Sequence, residues 1–104
     1  MSEFFLGDEV VRVGFPDEQW IDIKEELTQA DQDAVTNAMV KMHGSEMEMT
    51  IGRTILLERM VVAWSFPEPV NAENLSRLRR KYREPTLLKI DELNSQAYNY
   101  IAKN

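Results

Sequence analysis

The spacing of apolar and polar positions changes along the chain, and each change marks an element. Glu9-Val10-Val11-Arg12-Val13 and Trp20-Ile21-Asp22-Ile23-Lys24 are short, β-branched and alternating. The turn formers Gly14-Phe15-Pro16-Asp17-Glu18-Gln19 lie between them, which predicts a β-hairpin. Alternation puts Ile21 and Ile23 on one face and Trp20, Asp22 and Lys24 on the other, so a core-facing isoleucine pair leaves Trp20 on the polar face. Thr28 with Asp31 three residues later is a capping-box variant with Asp in place of Glu, and it predicts a helix from Thr28 to near His43. Ala30, Ala34, Val35, Ala38, Met39 and Met42 form its inner stripe, and Lys41-Met42-His43-Gly44 supplies a basic last turn and a glycine stop.

Ser45 to Thr50 reads two ways: Glu46-Met47-Glu48-Met49 alternates like a strand but lacks β-branched residues, so a loop has at least equal support. From about Gly52 a helical pattern runs to Trp64 with only Glu58 and Arg59 polar in its second half. A helix apolar on nearly every side is normally buried on nearly every side, which makes this the expected centre of the core. Pro67 and Pro69 should stop it, and Asn71 should cap a helix through Ala72, Leu75, Leu78 and Tyr82. Glu84-Pro85-Thr86 reads as a further break, with Pro85 as the first residue of a last helix whose stripe is Leu87, Ile90, Leu93, Ala97, Tyr100 and Ile101. The expected fold is α+β, mostly α, in a single domain over residues 1–104. It has a flexible lead at 1–8, a β-hairpin at 9–26 and a compact bundle of about four helices at 28–103.

Composition narrows the function more than the fold. The chain has no cysteine, which excludes a disulfide framework, thiolate metal sites and thiol catalysis. No window approaches the roughly 20 uncharged apolar residues of a membrane span, and MSEFFLGDEV has no basic region that would make it a secretory signal. A cytosolic location is the resulting expectation. The net charge of -6 is uneven, with twelve acids against three bases in residues 1–50 and six acids against nine bases in residues 51–104. Such asymmetry can join the two halves, favour self-association or present an acidic surface to a basic partner.

Catalytic groups are scarce, so no catalytic, metal-binding or cofactor-binding residue is assigned. His43 is the single histidine, and a cation near a helix end is its simplest account. Asp17, Glu18, Glu25 and Glu26 lack the alternating ligands and turn glycine of a calcium loop and read as surface charge. Arg77-Leu78-Arg79-Arg80-Lys81-Tyr82-Arg83 is the concentrated basic patch. Arg79 and Arg80 could contact phosphate, but an acidic chain repels polyanions, so a solvated face or an acidic protein partner is the preferred reading over nucleic acid. Met39, Met42, Met47 and Met49 either fill core gaps or offer adaptable apolar surface. Trp20 is an interface candidate, unless a loop carrying Phe4 and Phe5 covers it. The last helix, with Tyr100 on its stripe, closes the chain's own core or docks on a partner or second copy.

The order of these signals resembles the small tail assembly chaperones of long-tailed bacteriophages. The matching pieces are Trp20-Ile21-Asp22-Ile23-Lys24 with Leu27-Thr28, the apolar stretch ending Ala63-Trp64-Ser65-Phe66, Pro69-Val70-Asn71-Ala72-Glu73-Asn74-Leu75, and a C-terminal helix after Pro85. The likeness covers about residues 10 to 100, and the RLRRKYR segment departs from it. It implies a helical protein that binds the tape measure protein, keeps its apolar helices soluble, helps recruit tail tube subunits and is absent from the finished virion. Members are often made beside a frameshifted longer product, and the family has no catalytic residues to carry over. Two other classes stay in view: a small virion protein such as a head-tail connector component, suited by the charge asymmetry, and a nucleic-acid-binding regulator using Arg77 to Arg83.

Overall fold

The computed structural model describes residues 7, 9–40 and 46–102, with side chains described for 7, 9–38 and 52–94. Strands β1 (Val10–Gly14) and β2 (Trp20–Lys24) pair antiparallel, with Val11 opposite Ile23 and Val13 opposite Ile21. The period-two pattern therefore sets the register as expected, and Ile21 and Ile23 are fully buried. In the connecting turn the Glu18 N–H donates to the Phe15 carbonyl and the Phe15 N–H to the Gln19 carbonyl, both at 3.0 Å. Pro16 pre-sets the first bend, and Glu18 takes the left-handed conformation at φ 68°.

The Trp20 face holds a second layer of order. The Arg12 guanidinium lies 3.8 Å over the Trp20 ring and grips Asp22 with two bonds, Nε to Oδ1 at 2.8 Å and a terminal nitrogen to Oδ2 at 3.0 Å. Indole, guanidinium and carboxylate thus form one stacked unit, in which the flat cation satisfies both partners at once. The cover over Trp20 is a side chain from the neighbouring strand. The alternative of Phe4 and Phe5 lies outside the described residues.

Thr28 and Asp31 cap α1 (Gln29–Val40) reciprocally, because the Asp31 N–H donates to Thr28 Oγ1 and the Thr28 N–H to the Asp31 carboxylate, each at 3.1 Å. The expected inner stripe needs one correction: Ala30 is exposed, while Asp31 beside it is fully buried and Ala34, Val35 and Ala38 are half-buried. Asp31 faces inward because two cations wait for it, Lys24 Nζ at 2.8 Å and Arg59 Nε at 2.8 Å. Burial pushes its pKa up, but the bonds from Lys24, Thr28 and Arg59 outweigh that and lower it from 3.8 to about 2.

Two elements differ from the sequence reading. Helix α2 (Glu46–Met60) starts within the stretch read as strand or loop, so Met47 and Met49 are helical. It also ends at Met60, and Val61–Trp64 forms strand β3, pairing antiparallel with β2 to give a sheet of order β1-β2-β3. The expected helix to Trp64 and the all-helical span 28–103 are overturned here. Val61-Val62-Ala63-Trp64 is short, apolar and β-branched, and such a run suits a strand as well as a buried helix until pairing decides. Asp22 pairs with Ala63 and Ile23 with Val61, so Val62 is the bulged residue, and it is 45% exposed while Met60 and Val61 are buried.

The second correction concerns the last helices. Asn71 caps α3 as expected, its side chain accepting from the Asn74 N–H at 2.8 Å, but α3 (Ala72–Ser76) is only five residues long. The break falls at 77–79 instead of at Pro85, and α4 (Arg80–Ala102) runs through that proline. Pro85 is exposed in the second turn of the helix, where its missing N–H costs only the bond to the Lys81 carbonyl, and the buried Thr86 hydroxyl donates to the Tyr82 carbonyl at 2.7 Å. Leu57, Met60, Val61, Leu75, Leu87 and Ile90 close over Ile21 and Ile23 to form the core. The fold is α+β and mostly α, with the three-stranded sheet against the helices.

Two outcomes follow from these contacts. Glu18→Gly should raise stability by about 0.5–1 kcal/mol, since glycine accepts a positive φ without the Cβ penalty, as read from the urea midpoint. Asp31→Asn should lower it by about 2–3 kcal/mol at pH 7, below the roughly 3–5 kcal/mol for a fully buried pair because Lys24 and Arg59 both reach solvent. The folded pKa of Asp31 is depressed, so its contribution of about 2 kcal/mol is present above the unfolded value and disappears as pH falls from about 4 towards about 2. Urea melts of both proteins across that range should converge.

Candidate functional site

After β3 the chain turns back through two prolines. Ser65 prolongs the β2–β3 pairing, its N–H donating to the Trp20 carbonyl at 3.0 Å and its hydroxyl accepting from the Trp20 N–H at 2.8 Å. The Trp64 indole N–H donates to the Glu68 carbonyl at 2.6 Å, which closes the segment over the ring, and the Asn74 side-chain amide holds the Pro69 carbonyl at 2.7 Å. This hooked connection presents Trp64 and Phe66 side by side, ring centres 5.4 Å apart.

The break between α3 and α4 brings up the other wall. The Arg77 N–H bonds the Asn74 carbonyl and the Leu78 N–H the Leu75 carbonyl, and Arg79 then supplies the carbonyl that starts α4. Tyr82, one turn into α4, meets Phe66 at 4.9 Å and Phe15 of the hairpin turn at 4.9 Å with their planes at 76°. Phe15, Tyr82, Phe66 and Trp64 therefore form a row of four rings joining the hairpin turn, α4 and the end of β3. The Tyr82 hydroxyl donates to Asp17, with Lys81 3.8 Å from the same carboxylate, and the tyrosine bond above all holds the Asp17 pKa below its ordinary value.

Three of these rings, with Leu78, Arg77, Arg79, Asn74 and Glu68, line an open cleft of about 350 Å³. Its floor is apolar, and its rim carries the cations Arg77 and Arg79 with one acid, Glu68. Ten lysines and arginines have described side chains, and seven of them reach carboxylates: Arg12, Lys24, Arg53, Arg59, Lys81, Arg83 and Lys89. Arg77, Arg79 and Arg80 are exposed and, among the described residues, have no such partner. Arg80 and Lys81 also open a helix whose first turn holds no acid, so they add to the positive end of its dipole. A second cleft of about 170 Å³ lies between α2 and α4, but its arginines, Arg53 and Arg83, are engaged by Glu84.

The residues singled out from sequence fare unequally. Arg79 lines the cleft and Arg80 lies next to it in sequence, whereas Trp20 is on the sheet face beneath Arg12. Met39 lies in α1, Met47 and Met49 in α2 and Tyr100 in α4, with side chains outside those described. Met42 and His43 lie outside the described residues altogether. The sequence pattern does not join Trp64, Phe66, Leu78 and Arg77 into one site, because a helix ending at Trp64 and another running unbroken to Tyr82 keep them apart. The signal was there in Pro67 and Pro69, which fold the intervening segment back on itself.

Among the described residues, no three histidine, aspartate or glutamate side chains gather as a metal site. No described helix is long and apolar enough to cross a membrane. No family model, curated protein or solved structure matches the chain.

Tyr82→Phe keeps the ring row but removes the hydroxyl donor, so the Asp17 pKa should rise towards its ordinary value. Side-chain carboxyl titration by NMR reads this directly, and an unchanged Asp17 would refute the assignment.

Proposed function

We propose that this chain is a tail assembly chaperone of a long-tailed bacteriophage, binding the tape measure protein during tail morphogenesis and helping to recruit tail tube subunits. The open aromatic cleft between Trp64–Phe66 and Leu78–Tyr82 is the observation that carries the reading, joined to the ordered sequence signals. Partly buried rings and a leucine give a client's apolar side chains somewhere to leave water, at about 25 cal/mol per Å² of apolar surface removed from it. The net charge of -6 keeps the complex dispersed while the client's remaining apolar surface is covered. Binding is reversible and uses no nucleotide, and assembling tube subunits displace the chaperone. It works in the host cytoplasm, performs no catalysis and does not stay in the virion.

The connector reading loses part of its motive in the folded chain. Arg59–Asp31 and Lys81–Asp17 join the basic half to the acidic half internally, so less of the asymmetry is left to drive a ring. The nucleic-acid reading is likewise left with three unpaired arginines in place of five basic side chains in Arg77 to Arg83.

Co-expression with the tape measure protein tests the proposal. The client should become soluble and co-elute with this chain, and mass spectrometry of purified virions should not find it. A client whose solubility is unchanged and which forms no complex would end the reading, and a stable ring within particles would favour the connector.

A further inference from the structure

Resting on the reading of this chain as a protein-binding module, we propose that the Trp64–Tyr82 cleft recognises an acidic segment of its partner that carries a single large apolar anchor. The anchor occupies the space between Trp64, Phe66 and Leu78, and carboxylates on either side of it meet Arg77 and Arg79. Charge complementarity argues for this occupant. In a chain of net charge -6, cations would be expected to find acids at home, and seven of the ten described ones do. The three that do not are Arg77, Arg79 and Arg80, and the first two line the open cleft with an aromatic floor, where they outnumber its single acid, Glu68. A guanidinium beside an apolar pocket binds carboxylate with paired donors and fixed direction, which a lysine could not supply.

A single-stranded nucleic acid is the rival occupant, because aromatic rings and arginines also serve base stacking. The ring geometry speaks against it. Phe66 packs on Trp64 and on Tyr82 with its plane tilted 57° to each, so neighbouring rings are not coplanar and do not form a flat platform for successive bases.

The test uses the full chain, ¹⁵N-labelled, and a fluorescein-labelled peptide Gly-Asp-Glu-Gly-Phe-Glu-Asp-Gly. Its companions are a peptide with lysines for the acids, one with alanine for the phenylalanine, and oligothymidylate. The two indoles act as internal reporters. The acidic apolar peptide should move the Trp64 indole resonance and leave that of Trp20 in place. Both altered peptides should bind at least about tenfold more weakly, and so should the first peptide to the Arg77→Ala, Arg79→Ala double variant, with affinity falling as salt rises. An unmoved Trp20 resonance in the variant certifies its fold.

The proposal is overturned if no peptide binds, if the double variant binds equally well, if Trp20 reports the binding instead, or if oligothymidylate binds more tightly than the acidic peptide. Its failure is separable from that of the assembly role. A tape measure complex retained by the double variant would remove the cleft and leave the chaperone, whereas peptide binding at Trp64 without any tape measure complex would do the reverse.

Discussion

One buried carboxylate fixes the relation between sheet and helices. Asp31 is fully enclosed, yet it receives a backbone N–H from Thr28, an ammonium from the end of β2 and a guanidinium from the penultimate residue of α2. Those donors lie 3, 7 and 28 positions away in sequence. A charge in that position is tolerable only while all of them are present, so forming the cap of α1 commits β2 and the end of α2 to their places. Because α2 passes into β3 without a loop, fixing Arg59 also fixes where the third strand begins.

The aromatic row extends this constraint to the other end of the molecule. Phe15 sits in a turn set by the hairpin, Trp64 at the end of the strand whose start Asp31 helps to place, and Tyr82 on the helix that contributes Leu87 and Ile90 to the core. The open cleft beside them is lined from the end of β3 with the segment after it, from α3 with the break that follows, and from the start of α4, while Phe15 only meets Tyr82. A site built in this way is pre-formed, and a ligand loses less to ordering it.

Much of this was legible in the residues. The hairpin, the buried isoleucines, the Thr28–Asp31 box and the Asn71 cap are local patterns, and each appears where the pattern put it. The misreadings share a cause. Val61 to Trp64 is apolar enough for either a helix or a strand, and only the unpaired edge of β2, a feature of tertiary structure, selects the strand. Pro85 suggests a boundary that α4 runs straight through, while the true break at 77–79 contains neither glycine nor proline. The cleft could not be read beforehand, because Trp64, Leu78 and Tyr82 converge only once both boundaries are moved. Arg79 and Arg80 were identified by charge alone, without the apolar floor that gives the first of them a context.

The bulge at Val62 has a bearing on how copies of this protein meet. β3 is an outer strand of only four residues, and an unbroken ladder of amide and carbonyl groups along it would invite a strand from another molecule. The extra residue breaks the regular alternation in that ladder and twists the margin, so edge-to-edge polymerisation of the sheet finds no matching register there. Encounters along this margin are therefore left to side chains such as the exposed Val62, whereas β1, whose pairing with β2 is regular, forms the sheet's other margin.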